Sequence, residues 1–229
     1  MATLVGDWGG GHVWRITSGT FLSNAYFCEV DVPGGCILID PGLDGLAIDA
    51  AMTERGLRPY QVFCTHGHFD HAGSASYFQE KYGCKIFMHQ ADARTLKASN
   101  FLLMAFKIPQ KIVIPEITFI ENNLDIDING QALTYLPAPG HTPGSCILKL
   151  GRAWFTGDTI YSQGVGLSSL PGEDHISLRQ SILGLWDRIT KDITIYPGHG
   201  DSANGILIRS ENRALLNFLE SVESDSEIN

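Results

Sequence analysis

The pattern of apolar and polar positions divides the chain into short β-like runs and segments of helical periodicity. Runs rich in Val, Ile, Phe, Tyr and Thr are typical of strands and occur at residues 12–17, 20–30, 35–39, 61–65, 84–88, 117–120, 132–137, 145–150, 153–157 and 192–197. Apolar positions recur at helical spacing near residues 44–56, 72–83, 90–98, 175–190 and 206–222. The runs form two clusters, each accompanied by helices, so the pattern predicts an α/β fold of two packed sheets with helices outside.

Length and bulk composition narrow the domain organisation and the partners. The chain has 229 residues, 44% of them hydrophobic, which favours a single domain over residues 1–229, with an acidic, serine-rich tail from about residue 220 that we expect to fray. The net charge of −9 argues against nucleic acid or anionic membranes as partners. No apolar run approaches the roughly 18–20 residues of a membrane-spanning helix, and the N-terminus lacks the basic and apolar stretches of a secretory signal.

The cysteines indicate a reducing compartment. Their number is odd, five, none of them has paired metal spacing, and all have apolar neighbours, so we interpret them as reduced core residues. They are Cys28, Cys36, Cys64, Cys84 and Cys146. We therefore expect a cytoplasmic location.

The most informative segment spans residues 65–71, at the end of an apolar run. Its potential metal ligands are His66, His68, Asp70 and His71. Side chains at i and i+2 of an extended segment point the same way, so His66 and His68 can reach one ion. Asp70 and His71 come after a turn and can reach a second ion beside it. Such a cluster is costly to build without a cation, because its side chains compete for one small volume.

Three more candidates lie beside glycines, at or just past the end of a β-like run: His141, Asp158 and His199. With residues 65–71 they provide five imidazoles and two carboxylates, which suit two divalent cations of the zinc, iron or manganese type. Such cations lower the pKa of bound water from ~15.7 to roughly 7 and can hold hydroxide between them. The remaining histidines lack partners in the sequence and are interpreted as ordinary residues: His12, His89 and His175.

Five motifs, in order along the chain, resemble the signature series of the metallo-β-lactamase fold hydrolases. They occupy residues 37–42, 65–71, 140–144, 157–159 and 198–200, and the resemblance spans roughly residues 20–200. It implies an αββα sandwich of two mixed β-sheets flanked by helices, with the metals at one edge. The ligands it implies are His66, His68 and His141 for metal one, Asp70, His71 and His199 for metal two, and Asp158 as the bridge. It also implies that Asp40 orients ligands from behind the metals.

Three features narrow the substrate. Asp158 stands where the zinc β-lactamases best known for a cysteine ligand carry the thiolate, which disfavours a β-lactamase. Residues 157–159 and 170–175 are similar to the glyoxalase II-like branch, whose members hydrolyse thioesters, and the sequence ends one helix after His199, as in short bacterial thioester hydrolases. Leu167 and Ser169 replace an arginine and an aspartate of many relatives, which favours an acyl or thiol group less polar than glutathione.

We therefore predict a hydrolase in which a hydroxide bridged between two metal ions attacks a thioester, as in hydroxyacylglutathione hydrolases. Zinc is the expected metal, with iron or manganese as alternatives. Asp70 is predicted to orient the hydroxide and to accept its proton. The expected partner is a small-molecule thioester or ester, and the oligomeric state stays open.

Three alternatives to the thioesterase remain. Tyr161 lies three residues after Asp158, the offset at which quorum-signal lactonases of this superfamily carry a tyrosine that aids the substrate carbonyl; the other interpretation is a tyrosine that only packs in its loop. Persulfide dioxygenases use one iron on residues matching His66, His141 and Asp158. A non-catalytic ligand sensor would retain the metal site. The apolar residues 101–109 predict either a lid or acyl groove over the metals, or a core or dimer-contact helix.

Overall fold

The computed structural model describes residues 1–168 and 170–221. The substitution noted at Ser169 and the predicted fraying beyond Ser221 fall outside the described residues. The strands are β1 Thr3–Asp7, β2 His12–Ser18, β3 Ser23–Glu29, β4 Gly35–Ile39, β5 Arg58–Phe63, β6 Lys85–His89, β7 Ile117–Ile120, β8 Leu124–Ile128, β9 Gln131–Pro137, β10 Cys146–Leu150, β11 Ala153–Gly157, β12 Thr194–Pro197 and β13 Ala203–Asn204. The helices are α1 Gly45–Thr53, α2 Phe69–Ala72, α3 Ala75–Tyr82, α4 Ala93–Ala105, α5 His175–Leu185, α6 Gly205–Glu211 and α7 Arg213–Glu220.

The strands form two mixed sheets. The first has seven strands in chain order, β1 to β7; its neighbours are antiparallel from β1 to β4 and parallel from β4 to β7. The second has six strands in the order β13-β12-β11-β10-β9-β8, and only its β11 and β12 are parallel. The arrangement confirms the predicted pair of mixed sheets.

Apolar side chains fill the space between the sheets and beneath the helices. Tyr26 of the first sheet lies 5.3 Å from Phe155 and 5.6 Å from Tyr196 of the second, measured between ring centroids, within an inter-sheet core. A second apolar cluster joins the first sheet to α1, α3 and α4, and a third joins the second sheet to α5, α6 and α7. Each sheet therefore buries one face against the other sheet and one against helices, which is the predicted αββα sandwich.

The strands that the sequence pattern missed are short or poorly buried. β1, β8 and β13 all lie at sheet edges, β13 has two residues, and β8 carries exposed aspartates at positions 125 and 127. The helix predicted over residues 206–222 is split into α6 and α7 at Asn212, whose side chain accepts a hydrogen bond from Leu215 N–H (3.1 Å). The helix predicted over residues 90–98 begins at Ala93 and continues to Ala105.

The parallel strand pairs determine where the candidate ligands meet. Parallel neighbours end at the same edge of a sheet, and this holds for β4 with β5 and for β11 with β12. Asp40 follows β4 and His66 comes shortly after β5, whereas Asp158 follows β11 and His199 comes shortly after β12. A β-bridge between Ser23 and His199 joins the two sheets at this edge.

The cysteines and the helices agree with the expectations from composition. All five cysteines are free and buried, as predicted for reduced core residues. Among the described residues, no helix combines the length and the apolar character needed to cross a membrane.

Asp92 ties together two of the ligand-bearing loops. This carboxylate is completely buried, and it accepts hydrogen bonds from the backbone N–H of Gly67 (2.7 Å) and of Gly144 (2.7 Å). It also accepts bonds from the hydroxyls of Thr142 (2.8 Å) and Thr95 (3.3 Å). The loop before α2 and the loop between β9 and β10 are therefore held to the start of α4 by one side chain.

We expect Asp92→Ala to lower the free energy of unfolding by about 3 kcal/mol, because the amides of Gly67 and Gly144 lose their buried acceptor. Asp92→Asn should be intermediate, because its single carbonyl oxygen can serve only one of the two loops. Urea denaturation of the metal-free protein measures the change. The exposed Asp192 offers a matched control, and Asp192→Asn should stay within about 0.5 kcal/mol of the wild type. An Asp92→Ala variant as stable as this control would show that the contact contributes nothing.

Candidate metal centre

The seven predicted ligands converge at one edge of the sandwich. They lie on loops that follow β5, β9, β11 and β12 and, for Asp70 and His71, in the short helix α2. His66, His68, His71, His141 and Asp158 are buried, whereas Asp70 and His199 are partly exposed. The centre is thus closed towards the core and open on one side.

One group of donors consists of His66, His68 and His141. One nitrogen of each imidazole lies within 4.8 Å of a nitrogen of the others, and His68 Nδ1 is 3.1 Å from His141 Nε2. Three buried imidazoles at this separation can surround one cation.

A second group consists of Asp70, His71 and His199, whose donor atoms also lie within 4.8 Å of one another. His71 Nε2 is 3.4 Å from His199 Nε2. The Asp70 carboxylate approaches His199 Nε2 at 3.5 Å and His71 Nε2 at 3.7 Å. This group combines two imidazoles with one carboxylate.

Asp158 contacts both groups. Its carboxylate oxygens lie 3.4 Å from His71 Nε2, 3.4 Å from His199 Nε2 and 3.6 Å from His141 Nε2. The side chain therefore stands between the two sets of nitrogens, in reach of a ligand from each.

Asp40 fixes the orientation of two imidazoles from behind. Thr65 donates to the Asp40 carboxylate through its N–H (2.7 Å) and its hydroxyl (2.7 Å). The Thr65 oxygen is left to accept from His66 Nδ1 at 3.0 Å, and Asp40 accepts from His71 Nδ1 at 3.2 Å. In its neutral form, each of these imidazoles then carries its proton on Nδ1 and keeps a lone pair on Nε2 for a metal. Asp40 itself has the left-handed backbone conformation, with φ +50°, which is unusual for a residue other than glycine.

Backbone carbonyls orient two further imidazoles. His141 Nδ1 donates to the carbonyl of Gly166 (3.1 Å), and His199 Nδ1 donates to the carbonyl of Phe21 (3.1 Å). In the neutral form of each ring, Nε2 therefore carries the lone pair on the side where Asp158 lies.

Burial and neighbouring charge shift the imidazole pKa values in opposite directions. Burial, helped by the neighbouring His141, lowers the pKa of His68 to about 4. Burial also opposes protonation of His71 and His199, but nearby carboxylates, Asp158 foremost, raise the pKa of His71 to about 9 and that of His199 to about 10. Against the effect of burial, His71 and His199 hold the pKa of Asp158 well below its usual range. The half of the centre that contains carboxylates therefore attracts positive charge.

Two buried polar atoms test whether the centre fits a metal. His66 Nε2 and Asp158 Oδ1 make no hydrogen bond to any residue that the structure describes. A buried lone pair without a partner is costly. A divalent cation can accept the lone pairs of both atoms. Because imidazole nitrogen and carboxylate oxygen suit divalent first-row metals, the donor set fits the cations that the sequence implies.

Glycines allow the loops to approach this closely. Gly157 has φ +48°, and a Cβ there would lie 2.3 Å from the hydroxyl of Thr65; a Cβ on Gly198 would lie 2.2 Å from the Asp158 carboxylate. A larger residue at position 157 would push apart the loops of the two sheets, and one at position 198 would displace the Asp158 carboxylate.

Tyr161 lies beside the second group of donors. Its ring is edge-on to the ring of His199, 6.0 Å between centroids. Burial, and next the Asp158 carboxylate, raise the pKa of its phenol above the ordinary value. Asn212 fixes the loop by donating to the carbonyl of Tyr161 (2.9 Å). The structure thus places Tyr161 beside His199 and Asp158, with its hydroxyl protonated.

A cleft of about 960 Å³ opens from the centre along α4. This α4 cleft is lined by His68, Arg94, Lys97, Phe101, Phe119 and Pro171, among others. The apolar segment at residues 101–109 has a divided role, because Leu103 lies in the core whereas Phe101 faces the cleft and is 66% exposed. Phe101 therefore belongs to the wall of the α4 cleft, whereas Leu103 belongs to the core.

The sequence does not identify the residues that hold the ligands in place. Its pattern places Asp92 only in a helix and Thr65 only in a motif. The one available signal for Thr65 was its position directly before His66. Asp92 offered none, because its partners, Gly67 and Gly144, are 25 and 52 residues away in sequence.

Known proteins share this sequence pattern. A family model described as "Metallo-beta-lactamase superfamily" matches residues 18–199. The "Probable metallo-hydrolase YqgX" of Bacillus subtilis is 28% identical over 210 residues, which cover 89% of this chain and 97% of that protein. The "Hydroxyacylglutathione hydrolase GloC" of Haemophilus influenzae is 28% identical over 167 residues, which cover 71% of this chain and 79% of that protein.

Solved structures share the fold. The crystal structure of BLEG-1 B3 metallo-beta-lactamase superposes with a TM-score of 0.81 and 25% identity, over 89% of this chain and 99% of that one. The crystal structure of TTHA1623 in a di-iron-bound form superposes with a TM-score of 0.75 and 28% identity, over 86% of this chain and 98% of that one.

The family match extends over most of the chain, from residue 18 to residue 199, and includes all the loops that carry the candidate ligands. The αββα sandwich and the cluster of histidines and aspartates at its edge agree with that match. The chain belongs to the metallo-beta-lactamase superfamily, whose members bind divalent metals.

Proposed function

We propose that this protein hydrolyses thioesters with the help of two divalent cations. The observation that carries the proposal is the position of Asp158, which lies within 3.6 Å of a nitrogen from each of the two donor groups. One cation would be held by His66, His68 and His141, and the other by Asp70, His71 and His199, with Asp158 shared. Seven donors exceed what a single tetrahedral ion needs.

When bound, the cations supply hydroxide at neutral pH and polarise the substrate carbonyl. The side chains of this protein orient the reactants. Asp70 stays ionised because His71 and His199 lower its pKa against the effect of burial, so its carboxylate can orient a water molecule and accept its proton. The α4 cleft leads from His68 to the surface and is wide enough for an organic substrate.

Two considerations favour a thioester. A thiolate leaves without needing much protonation, so the reaction requires no strong general acid. One relative, from Haemophilus influenzae, is named as a hydroxyacylglutathione hydrolase, and its alignment covers most of both chains. Zinc is the expected metal, and iron is the alternative, since one solved relative is described in a di-iron-bound form.

We expect protein purified under metal-replete conditions to contain about two metal ions per chain, by elemental analysis. Asp158→Ala should lower the metal content below one ion per chain, and lower kcat/KM on thioesters by about 100-fold or more, because both groups lose their shared donor. The exposed Asp187 is 3.9 Å from Arg209 on the surface, and Asp187→Ala should leave both quantities unchanged.

Other outcomes of the same measurements would contradict the proposal. One iron per chain without zinc, with oxygen consumption on a persulfide, would identify a dioxygenase. A β-lactam hydrolysed faster than any thioester would point to a lactamase, the name carried by a structure of high similarity. Full metal content without turnover on a broad ester and thioester panel would favour a sensor.

The position of Tyr161 favours lactone hydrolysis as a second candidate. Its phenol lies near Asp158 and His199 and stays protonated, because burial and the carboxylate raise its pKa. A protonated hydroxyl beside the centre can donate to a substrate carbonyl or to a leaving alkoxide. Lactone and thioester hydrolysis use the same metal chemistry, so this residue is where the two candidates differ.

If Tyr161 donates to the substrate, Tyr161→Phe should lower kcat/KM by ~10-fold, which corresponds to roughly 1.4 kcal/mol. The loss should be larger for lactones than for thioesters, because an alkoxide carries more unstabilised charge than a thiolate. Metal content should not change, since Phe fills the same space. The measurement is kcat/KM of the wild type and of Tyr161→Phe on both lactones and thioesters. Equal kcat/KM values for the two proteins on every substrate would show that Tyr161 only packs in its loop.

A further inference from the structure

Two positively charged side chains in the α4 cleft have no partner among the described residues. Arg94 and Lys97 both line the cleft and are exposed. No hydrogen bond or ion pair joins either side chain to any residue in the described part of the chain. Other basic side chains of the protein do have carboxylate partners, as in the contacts of Arg15 with Asp201 and of Lys81 with Asp49.

The charge of the cleft is opposite to that of the protein as a whole. The chain has 25 acidic and 16 basic residues, yet none of the described residues that line the cleft carries a carboxylate. Its positive side chains therefore face no competing negative group on the same wall. A cleft lined by one sign of charge raises the local concentration of ligands with the opposite charge.

The helix places these cations on one face and close to the centre. Residues three apart on a helix are neighbours on its surface, so Arg94 and Lys97 present their charges side by side. The start of α4 is fixed to the ligand loop by the bond from Gly67 N–H to Asp92. With a rise of ~1.5 Å per residue, the two cations follow that anchor by roughly 3 and 8 Å along the axis. Phe101 continues the same face farther out.

We propose that Arg94 and Lys97 form an anion subsite, and that the physiological substrate carries a carboxylate a few bonds from its scissile carbonyl. This inference rests on the proposed hydrolysis at the metal centre, which it extends by naming the charge of the substrate. Arg94 offers a planar set of donors suited to a carboxylate, and Lys97 adds a point charge. The apolar rings of Phe101 and Phe119 border the outer part of the cleft.

The loop before α5 supplies no positive charge at position 167. Leu167 stands there and is 44% exposed. An uncharged side chain there cannot recognise a carboxylate. Recognition of the anion from α4 therefore changes the earlier expectation of a less polar substrate, because α4 supplies the positive charge that position 167 does not.

The test uses two matched pairs of compounds. The substrates are the S-phenylacetyl thioesters of 3-mercaptopropionate and of 3-mercaptopropionamide, which differ only in charge. The inert probes are the corresponding S-phenethyl thioethers, whose binding to the metal-loaded protein is followed by calorimetry. The variants are Arg94→Gln, Lys97→Gln and the double substitution. Controls at exposed cations outside the cleft are Arg58→Gln and Lys85→Gln.

We expect each cleft variant to lower kcat/KM on the anionic thioester by roughly 5-fold or more, and to weaken binding of the anionic thioether in parallel. The neutral compounds should change by less than about 2-fold, and the control variants should behave as the wild type. Equal losses on the charged and neutral compounds, or no loss on either, would overturn the subsite.

The two readouts separate this inference from the proposed function. Charge-dependent binding of the thioether without hydrolysis of either thioester would support the anion subsite and contradict the thioesterase. Hydrolysis of both thioesters with no dependence on Arg94 or Lys97 would support the thioesterase and contradict the anion subsite. Failure of the anionic thioether to bind the wild-type protein would overturn the subsite directly.

Discussion

The burial of carboxylates among imidazoles is the constraint on which the functional edge depends. Asp158 is 7% exposed and Asp40 is 2% exposed, and a buried anion is costly unless positive charge or strong donors compensate it. His71 compensates both carboxylates, because its ring nitrogens lie 3.4 Å from Asp158 and 3.2 Å from Asp40. The neighbouring carboxylates, Asp158 foremost, outweigh burial and raise the pKa of His71 to about 9. The site therefore favours positive charge at this position. Divalent cations satisfy the same demand.

This constraint explains why the loops of the edge are so tightly held. A cation centre requires its donors to be positioned before the cation binds. Here, short hydrogen bonds and close backbone contacts hold the donor-bearing loops in position. Asp92 joins two loops through backbone amides, Asp40 acts on His66 through the hydroxyl of Thr65, and Gly157 permits contact between the sheets. The αββα sandwich supplies the remaining precision, since the ends of two parallel strand pairs determine where the loops start.

The candidate ligands could be predicted from sequence because their chemistry is concentrated in short motifs. His66, His68, Asp70 and His71 lie within six residues, and the other three candidates sit beside glycines at strand ends. The residues that support them could not be predicted. Asp92 acts across 25 and 52 residues, and the cations at positions 94 and 97 gain meaning only because α4 borders the centre. A charged residue on a helix surface is ordinary until the fold shows what it faces.

The fold, like the candidate site, is determined partly by local sequence patterns and partly by tertiary structure. Apolar runs and helical periodicity by themselves determined most strands and helices, because each buried face must repeat with the period of its element. They failed at the edges, where β1 and β8 bury little, and at Asn212, which separates α6 from α7 and whose side chain caps the start of α7. The order of strands within each sheet, the approach of Asp158 to both donor groups, and the α4 cleft were decided only by tertiary structure. Each depends on contacts between segments distant in sequence, which no local pattern records.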